Sequence, residues 1–511
     1  MNPGATTVRA LIERSGAAQL GAPYALAADD EGVLYHRDLA ASCRQVTALL
    51  RAQGLGPGDT VSVVMPNGLN TLRILLGALW GGYIVNPVNL LSQPEQMRYV
   101  LDHSDCRLAV VAPEWEQKVR ALIATLDRPI ALLVADPAGT VLPGESATDK
   151  PAADARHDGM EGPDADAVAL LMYTSGTTGV PKGVMLTQSN LVANARAISE
   201  AHELGANDRV LAVLPLYHIN AFVVAMLAPL VEGGSLAVAP KFSAGRFWAQ
   251  AIGRRCTWLN VVPTIISYLL DGEAPARTEF AALRFCRSAS AALPPDLLRA
   301  FEQRFGIGVI ETMGLTETAA PSFSNPLSGE RRRLGSVGLA SGCEARVVDA
   351  QLKPLAAGES GEIVIRGPNV MRGYYKNDTA TKAAFTPDGW LRTGDLGHQD
   401  ADGYFFVTGR IKELIIKGGE NIAPREIDEA LLRHPAVLEA AAVGMPDRHY
   451  GQEILACVVL RGGAACSAGE LTDFCIEQLG RYKTPKTFRF VMELPRGPSG
   501  KVQRLKLLDA G

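Results

Sequence analysis

Short apolar runs bounded by Gly, Pro, Asn and Asp alternate with amphipathic segments along most of the chain. TVSVVM (60–65), LAVVAP (108–113), RVLAVLPL (209–216) and SLAVAP (235–240) are rich in β-branched residues and have the length of buried strands. PEQMRYVLDHS (94–104) and GRFWAQAIGRR (245–255) place apolar residues at helical spacing. This alternation predicts an α/β fold with helices layered around largely parallel sheets. Two longer apolar runs are ILLGALWGGYIVNPVNLL (74–91) and FVVAMLAPLV (222–231). The first is broken by Gly, Asn and Pro, and the second is shorter than the ~20 residues that cross a bilayer. They read as buried helix and strand, and no membrane span is expected.

The pattern breaks twice. Residues 137–167 are rich in Pro, Gly, Asp and Ala and read as a flexible connection into a following strand. Near residue 410, GRIKELIIKGGENIAPREIDEALLRHPAV passes from a charged turn through a β run and Gly-Gly into an amphipathic helix, with Pro424 in its first turn. Beyond it, the helices 424–435 and 468–480 flank the strand ILACVVLR (454–461). This predicts a large N-terminal domain, residues 1–409, a junction at 410–412, and a small C-terminal α+β domain, 413–511.

Composition narrows the function. At 511 residues, 47% apolar and 20% charged, the chain is ordinary for a globular protein of more than one domain. A net charge of −4 gives no footprint for a nucleic acid partner. The eight cysteines form no CxxC pair, which argues against a zinc site or a redox pair. Scattered thiols and an N-terminus without an apolar signal region predict a cytoplasmic protein.

The chemistry concentrates in turns. TSGTTGVPKG (174–183) follows the apolar run VALLMY and combines glycines, hydroxyls and one lysine, as a phosphate-binding loop would. It is not the common nucleotide loop GxxxxGK[ST], because Pro181 precedes Lys182 and Gly183 follows it. Four more stretches accompany it: ETMGLTET (311–318), GWLRTGDLG (389–397), GRIKELIIKGGENI (409–422) and PRGPSGKVQR (495–504).

These five stretches, in this order, resemble the adenylate-forming superfamily of acyl- and aryl-CoA synthetases, peptide-synthetase adenylation domains and luciferases. The resemblance covers essentially the whole chain. It implies a large N-terminal domain and a small, mobile C-terminal domain that rotates about Lys412. It also implies a two-step reaction on ATP, Mg²⁺, CoA and a small-molecule carboxylic acid. A carboxylate attacks the α-phosphate to give an acyl-AMP, and a thiol then displaces AMP.

By the resemblance, Thr174, Ser175, Gly176, Thr177, Thr178, Gly179 and Lys182 hold the β- and γ-phosphates. Thr316 contacts the α-phosphate region and Glu317 binds Mg²⁺. Asp395 accepts from the ribose hydroxyls beside Arg410. Lys501 is the catalytic lysine of adenylation. Gly418 and Gly419 line the thiol channel after rotation. His218 lies near the carboxylate, with Asn220, Arg287, Ser288 and Ala289 on the acid pocket. Met313, before Gly314, stands where many relatives have a tyrosine that stacks on adenine, and Ala292 replaces a proline in SASAAL (288–293).

The acid and the acceptor are less constrained. LPLYHINAFVVAM (214–226) has no aspartate to hold an α-amino group, which argues against an amino acid. Arg287 and the run Arg331–Arg333 suggest a polar or anionic acid, since a desolvated anion needs a cationic partner. Residues 241–258 and GERRRLGSVG (329–338) are similar to carnitine/crotonobetaine-type CoA ligases, and similar arginine-containing segments occur in malonate-type ligases. A medium- or long-chain fatty acid stays open, as does an adenylation enzyme loading a separate carrier protein. CoA is the expected acceptor because no carrier segment follows. A homodimer is also open.

Overall fold

The computed structural model describes residues 6–139, 141–143, 161–174, 180–496 and 502–509. The chain packs as two compact units. The first comprises Met1–Glu344 with Arg366–Gly389, and the second Ala345–Ile365 with Trp390–Gly511.

The first unit contains two large sheets with parallel centres, as the strand–helix alternation predicts. In one, six parallel strands lie in the order Pro23–Ala27, Ser235–Val238, Arg209–Ala212, Trp258–Val261, Phe285–Ser288 and Gly308–Leu315. Antiparallel strands close both edges: Val33–Tyr35 on one side, Ala320–Ser324 and Leu339–Ala340 on the other. In the other sheet, Val168–Thr174, Ile84–Pro87, Thr60–Val64, Cys106–Val111 and Ala131–Val134 run parallel. Lys182–Thr187 and Gly373–Tyr374 extend it antiparallel. The central strands are buried on both faces, which is why they read as continuous apolar runs and not as alternations.

Local chemistry fixes how these strands hand over to helices. Thr187 ends its strand and caps the helix Gln188–Ala201: its hydroxyl accepts from Asn190 N, and Asn190 Oδ1 accepts from Thr187 N. That reciprocal pair satisfies two backbone donors that the first turn would otherwise leave open. Prolines begin the helices Pro94–His103 and Pro424–Leu432, where a missing N–H is harmless.

One element differs from its expected type. The run 222–231 is not a strand. It lies in π-helical turns over Asn220–Leu227 that continue as the helix Ala228–Glu232. Every side chain from Asn220 to Val231 is buried, so polarity alternates with neither period and the run carries no sign of its type. The 74–91 run divides, into the end of the helix Leu69–Trp80 and the strand Ile84–Pro87.

The second unit holds two smaller sheets. Four strands, Glu344–Val348, Gly361–Arg366, Leu391–Gln399 and Phe405–Arg410, form one. The other is built on Gly451–Leu460, paired with Val437–Asp447, Ile415–Lys417 and Thr487–Phe490. The helices Pro424–Leu432 and Ala468–Lys483 pack on it through Ile427, Leu431, Leu471 and Cys475. Residues 345–365 and 390–409 therefore pack with the small α+β region, and position 410–412 lies inside this unit. Among the described residues, no helix is long and apolar enough to cross a membrane.

Candidate active site

Thr174 and Lys182 face each other at the open end of the antiparallel pair Val168–Thr174 and Lys182–Thr187. The strand Val168–Thr174 thus ends where the glycine-rich segment of the sequence begins. Ser175, Gly176, Thr177, Thr178 and Gly179 lie outside the described residues, as does Lys501.

Lys182 does not stand alone. The strand Gly373–Tyr374 pairs with the lysine's own strand, setting Tyr374 opposite Val184. Lys182 Nζ sits 4.9 Å above the Tyr374 ring, and the Tyr374 hydroxyl donates to Glu317 Oε1 at 2.8 Å. One phenol thereby touches both the ammonium and the carboxylate expected at opposite sides of a nucleotide's phosphates. Burial first, and then the Glu317 charge, push the Tyr374 hydroxyl well above its ordinary value. It remains a donor, and its bond goes to Glu317 Oε1 and not to Oε2. A single carboxylate oxygen suits Mg²⁺, which takes one or two carboxylates together with substrate phosphates. Among the described residues no group of three or more His, Cys, Asp and Glu is arranged around a metal.

The turn carrying Thr316 and Glu317 is held tightly. Asn194 Nδ2 donates to Thr318 O and Pro321 O, and Met371 N to Glu317 O. Ala319 and Ala320 follow with φ of 57° and 95°, a strained backbone that these bonds maintain. Gly314 is required here, because a Cβ at this position would sit 2.0 Å from Ala320 O. Met313, Thr316 and Glu317 are half-buried and accessible to a ligand.

Arg287 lies at the centre of the parallel sheet, 1% exposed. Its Nη1 donates to Asn220 Oδ1 and to Asn260 Oδ1, both at 2.6 Å, while Nε has no hydrogen-bond partner among the described residues. Both partners are neutral. Burial lowers the guanidinium to about 9, so it remains charged at neutral pH. The nearby His202 ring, stacked on Trp258 and Phe285, supplies no counter-charge. Burial first, and then Arg287, lower it to about 3. Ser288 and Ala289 follow on the same strand end, both buried, and among the described residues Ser288 Oγ has no hydrogen-bond partner. His218 is half-buried against Tyr217, with ring centroids 4.8 Å apart. Arg332 pairs with Glu302 at 2.6 Å, and its two neighbours are exposed.

In the second unit, Asp395 and Arg410 are register partners across two antiparallel strands. Arg410 Nε reaches Asp395 Oδ1 at 2.7 Å. Lys412 follows in an exposed turn. Gly418 and Gly419 form the two-residue turn between Ile415–Lys417 and Glu420–Ile422, with φ of 57° and 89°. Positive φ at both central residues is the geometry that favours glycine in a tight hairpin. Tyr450 and Tyr482 pack against this turn: a Cβ on Gly418 would meet Tyr482 Oη at 3.1 Å and Tyr450 Cδ1 at 3.2 Å.

Two residues of the site were not foreseen. Tyr374 sits in GYY (373–375), where nothing in the composition signals a ligand. Asn260 left a readable trace: it is the one polar side chain in WLNVV (258–262), an otherwise apolar central strand.

Comparison with known proteins agrees with this geometry. A family profile described as AMP-binding enzyme matches residues 13–375, and one described as AMP-binding enzyme C-terminal domain matches 426–501. The sulfoacetate–CoA ligase of Cupriavidus necator is 57% identical over 506 residues, covering 98% of this chain and 97% of that protein. The oxalate–CoA ligase of Arabidopsis thaliana is 36% identical, covering 90% of each. The crystal structure of ATP-bound MatB from Rhodopseudomonas palustris superposes with a TM-score of 0.88 at 31% identity, covering 98% of each chain. The chain belongs to the AMP-binding enzymes, and within them to the acid–CoA ligases.

Proposed function

We propose that this ligase activates a small acid carrying a second anionic group, a sulfonate or a carboxylate, at the far end from the reacting carboxylate. The observation that carries the proposal is Arg287: a charged guanidinium buried in the sheet with two neutral partners and an unmatched Nε. A desolvated cation without a counter-ion is costly in an empty protein and gains most from a ligand that brings the anion. The 57% identical sulfoacetate–CoA ligase gives that anion a chemical identity, and sulfoacetate is the first candidate.

In the adenylation step the acid's carboxylate displaces pyrophosphate from ATP's α-phosphorus. The protein's contribution is positioning and charge stabilisation. Lys182 and the 174–179 loop would hold the leaving phosphates. Thr316 would lie beside the α-phosphate, and Asp395, oriented by Arg410, would accept from the ribose hydroxyls. Lys501 would bridge the attacking carboxylate and the α-phosphate. Mg²⁺ would be held by Glu317, kept in place by Tyr374, and would neutralise phosphate charge. In the second step the CoA thiol attacks the acyl carbon and AMP leaves. Rotation about Lys412 would bring Gly418 and Gly419 to the thiol route, where backbone without side chains leaves room. His218 would stand at the acid's carboxylate. The eight cysteines are all free, which fits a reducing cytoplasm.

The test is AMP release with ATP, Mg²⁺ and CoA across sulfoacetate, malonate, oxalate, propanoate, benzoate and a medium-chain fatty acid. CoA-dependent turnover led by a dianionic acid supports the proposal. Turnover led by propanoate or the fatty acid rejects the role given to Arg287. Acyl-AMP formation without CoA-dependent release would point to a carrier-protein acceptor.

A further inference from the structure

Arg287 is held by an unusual set of partners for a buried cation. Asn260 is its direct neighbour on the adjacent parallel strand, in register across Trp258–Val261 and Phe285–Ser288. Asn220 approaches from the π-helical segment. The two carboxamides also bond to each other, Asn260 Nδ2 donating to Asn220 Oδ1 at 3.4 Å. Asn220 Nδ2 donates onward to Ser290 Oγ at 3.2 Å. Ser290 is exposed, with φ of 73°, in the turn that follows the strand. A chain of neutral groups therefore runs from the buried guanidinium to a turn at the surface.

The choice of amide over acid at these positions has a physical consequence. Aspartate has nearly the shape of asparagine and would accept the same Nη1 bond. It would also neutralise the guanidinium, which an amide oxygen cannot do. An arginine already paired inside the protein offers little to an incoming anion, because the substrate would compete with a covalently tethered carboxylate.

We propose that Asn260 and Asn220 are selectivity-determining positioning residues: they fix the Arg287 guanidinium while leaving its charge for the second anion of the substrate. The inference rests on the reading that Arg287 receives that anion. It adds that the protein enforces the preference through the neutrality of its own clamp.

The experiment compares wild-type enzyme, Arg287→Gln, Asn260→Asp and Asn220→Asp. Each is assayed by CoA-dependent AMP release with sulfoacetate and with propanoate, and its thermal midpoint is measured. In both Asn→Asp variants the preference for sulfoacetate is expected to fall about tenfold to a hundredfold, the scale of one charge-assisted contact. The loss should appear in KM for sulfoacetate and exceed any change in KM for ATP or in turnover of propanoate. The thermal midpoint should hold or rise, because the new carboxylate pairs a lone buried cation. A merely structural role predicts the opposite: a lower midpoint and equal loss with both acids. Retained preference in both Asn→Asp variants, with loss in Arg287→Gln, overturns the clamp and leaves the role of Arg287 standing. A wild type with no preference for sulfoacetate overturns the reading beneath it. Failure of both Asn→Asp variants to fold also overturns the clamp, since a carboxylate beside an unpaired guanidinium is expected to stabilise it.

Discussion

Both units bury a cation, and they treat it in opposite ways. In the second unit Lys417 is 6% exposed and its ammonium lies 3.1 Å from Glu453, itself equally buried. It also donates to Tyr482 O at 2.9 Å, and the Tyr482 hydroxyl returns a bond to Lys417 O. Arg504 is handled similarly, donating to Glu413, Asp428 and Ala442 O. In the first unit Arg287 has two amides and an unmatched nitrogen. Arg73, also buried in the first unit, has its Nε, Nη1 and Nη2 each engaged, by Ser42, Asn70 and Gln45. A buried charge that is fully answered within the fold is architecture. One left partly unanswered points to something that arrives.

The largest effect expected from breaking this contrast is on the paired side. Glu453→Gln leaves Lys417 buried without its counter-charge and should destabilise the second unit by about 3–5 kcal/mol. Denaturant unfolding followed in the full chain reads this directly. The Gly418–Gly419 hairpin should loosen with it, because Lys417 is the residue before the turn. Arg287→Met is the counterpart. Replacing a poorly answered charge with an apolar chain of similar length should cost clearly less stability than Glu453→Gln, while the preference for a dianionic acid falls about a hundredfold. Equal destabilisation by the two changes would show that the units do not differ in the way argued.

This contrast was only partly legible in the sequence. Arg287 attracted attention because it precedes SASAAL, and the structure buries it with two amide oxygens as partners. The run Arg331–Arg333 looked equally promising, but Arg332 is engaged by Glu302. Charge sign can be read from sequence; whether a charge is already paired depends on residues far away in the chain. The fold shows the same division. TVSVVM, LAVVAP and SLAVAP became central strands because short apolar runs bounded by turn residues have few alternatives. The helical type of the 222–231 run was not legible because burial on every side erased the periodicity that separates helix from strand. Residues 345–365 join the second unit through sheet pairing with Leu391–Gln399, a long-range contact with no local signature.

A smaller effect is expected at the third charged group, Glu317, which among the described residues is bonded by a phenol and forms no ion pair. Tyr374→Phe removes the hydroxyl that fixes Glu317 Oε1 and leaves the ring beneath Lys182. The loss of one hydrogen bond to a charged group should weaken adenylation about tenfold at limiting Mg²⁺. Saturating Mg²⁺ should recover much of it, because the carboxylate is misplaced and not removed. Binding of Mn²⁺ in the presence of ATP, followed by electron paramagnetic resonance, separates a positioning loss from a change in chemistry. An unchanged Mn²⁺ affinity would confine Tyr374 to packing.

The smallest expected effect comes from pH and follows from the same unanswered charge. Burial lowers Arg287 to about 9, and His202, whose ring feels the Arg287 charge, is already neutral at working pH. The free enzyme should therefore lose its guanidinium charge as pH rises through about 9. An arginine in the unfolded chain keeps its proton above that point, so the unfolded state binds more protons there and the burial penalty is relieved as pH rises. Binding runs the other way: a dianionic acid needs the charged form, and its KM should be about fourfold higher at pH 9.5 than at pH 7.5. Propanoate, which gives Arg287 nothing to meet, should show no such rise in KM, and the ratio of the two acids cancels the ordinary alkaline losses common to both. In Asn260→Asp the new carboxylate should hold the proton on Arg287 to higher pH and flatten the ratio. A ratio independent of pH in the wild type, with selectivity intact, would mean that the bound anion meets a charge other than that of Arg287.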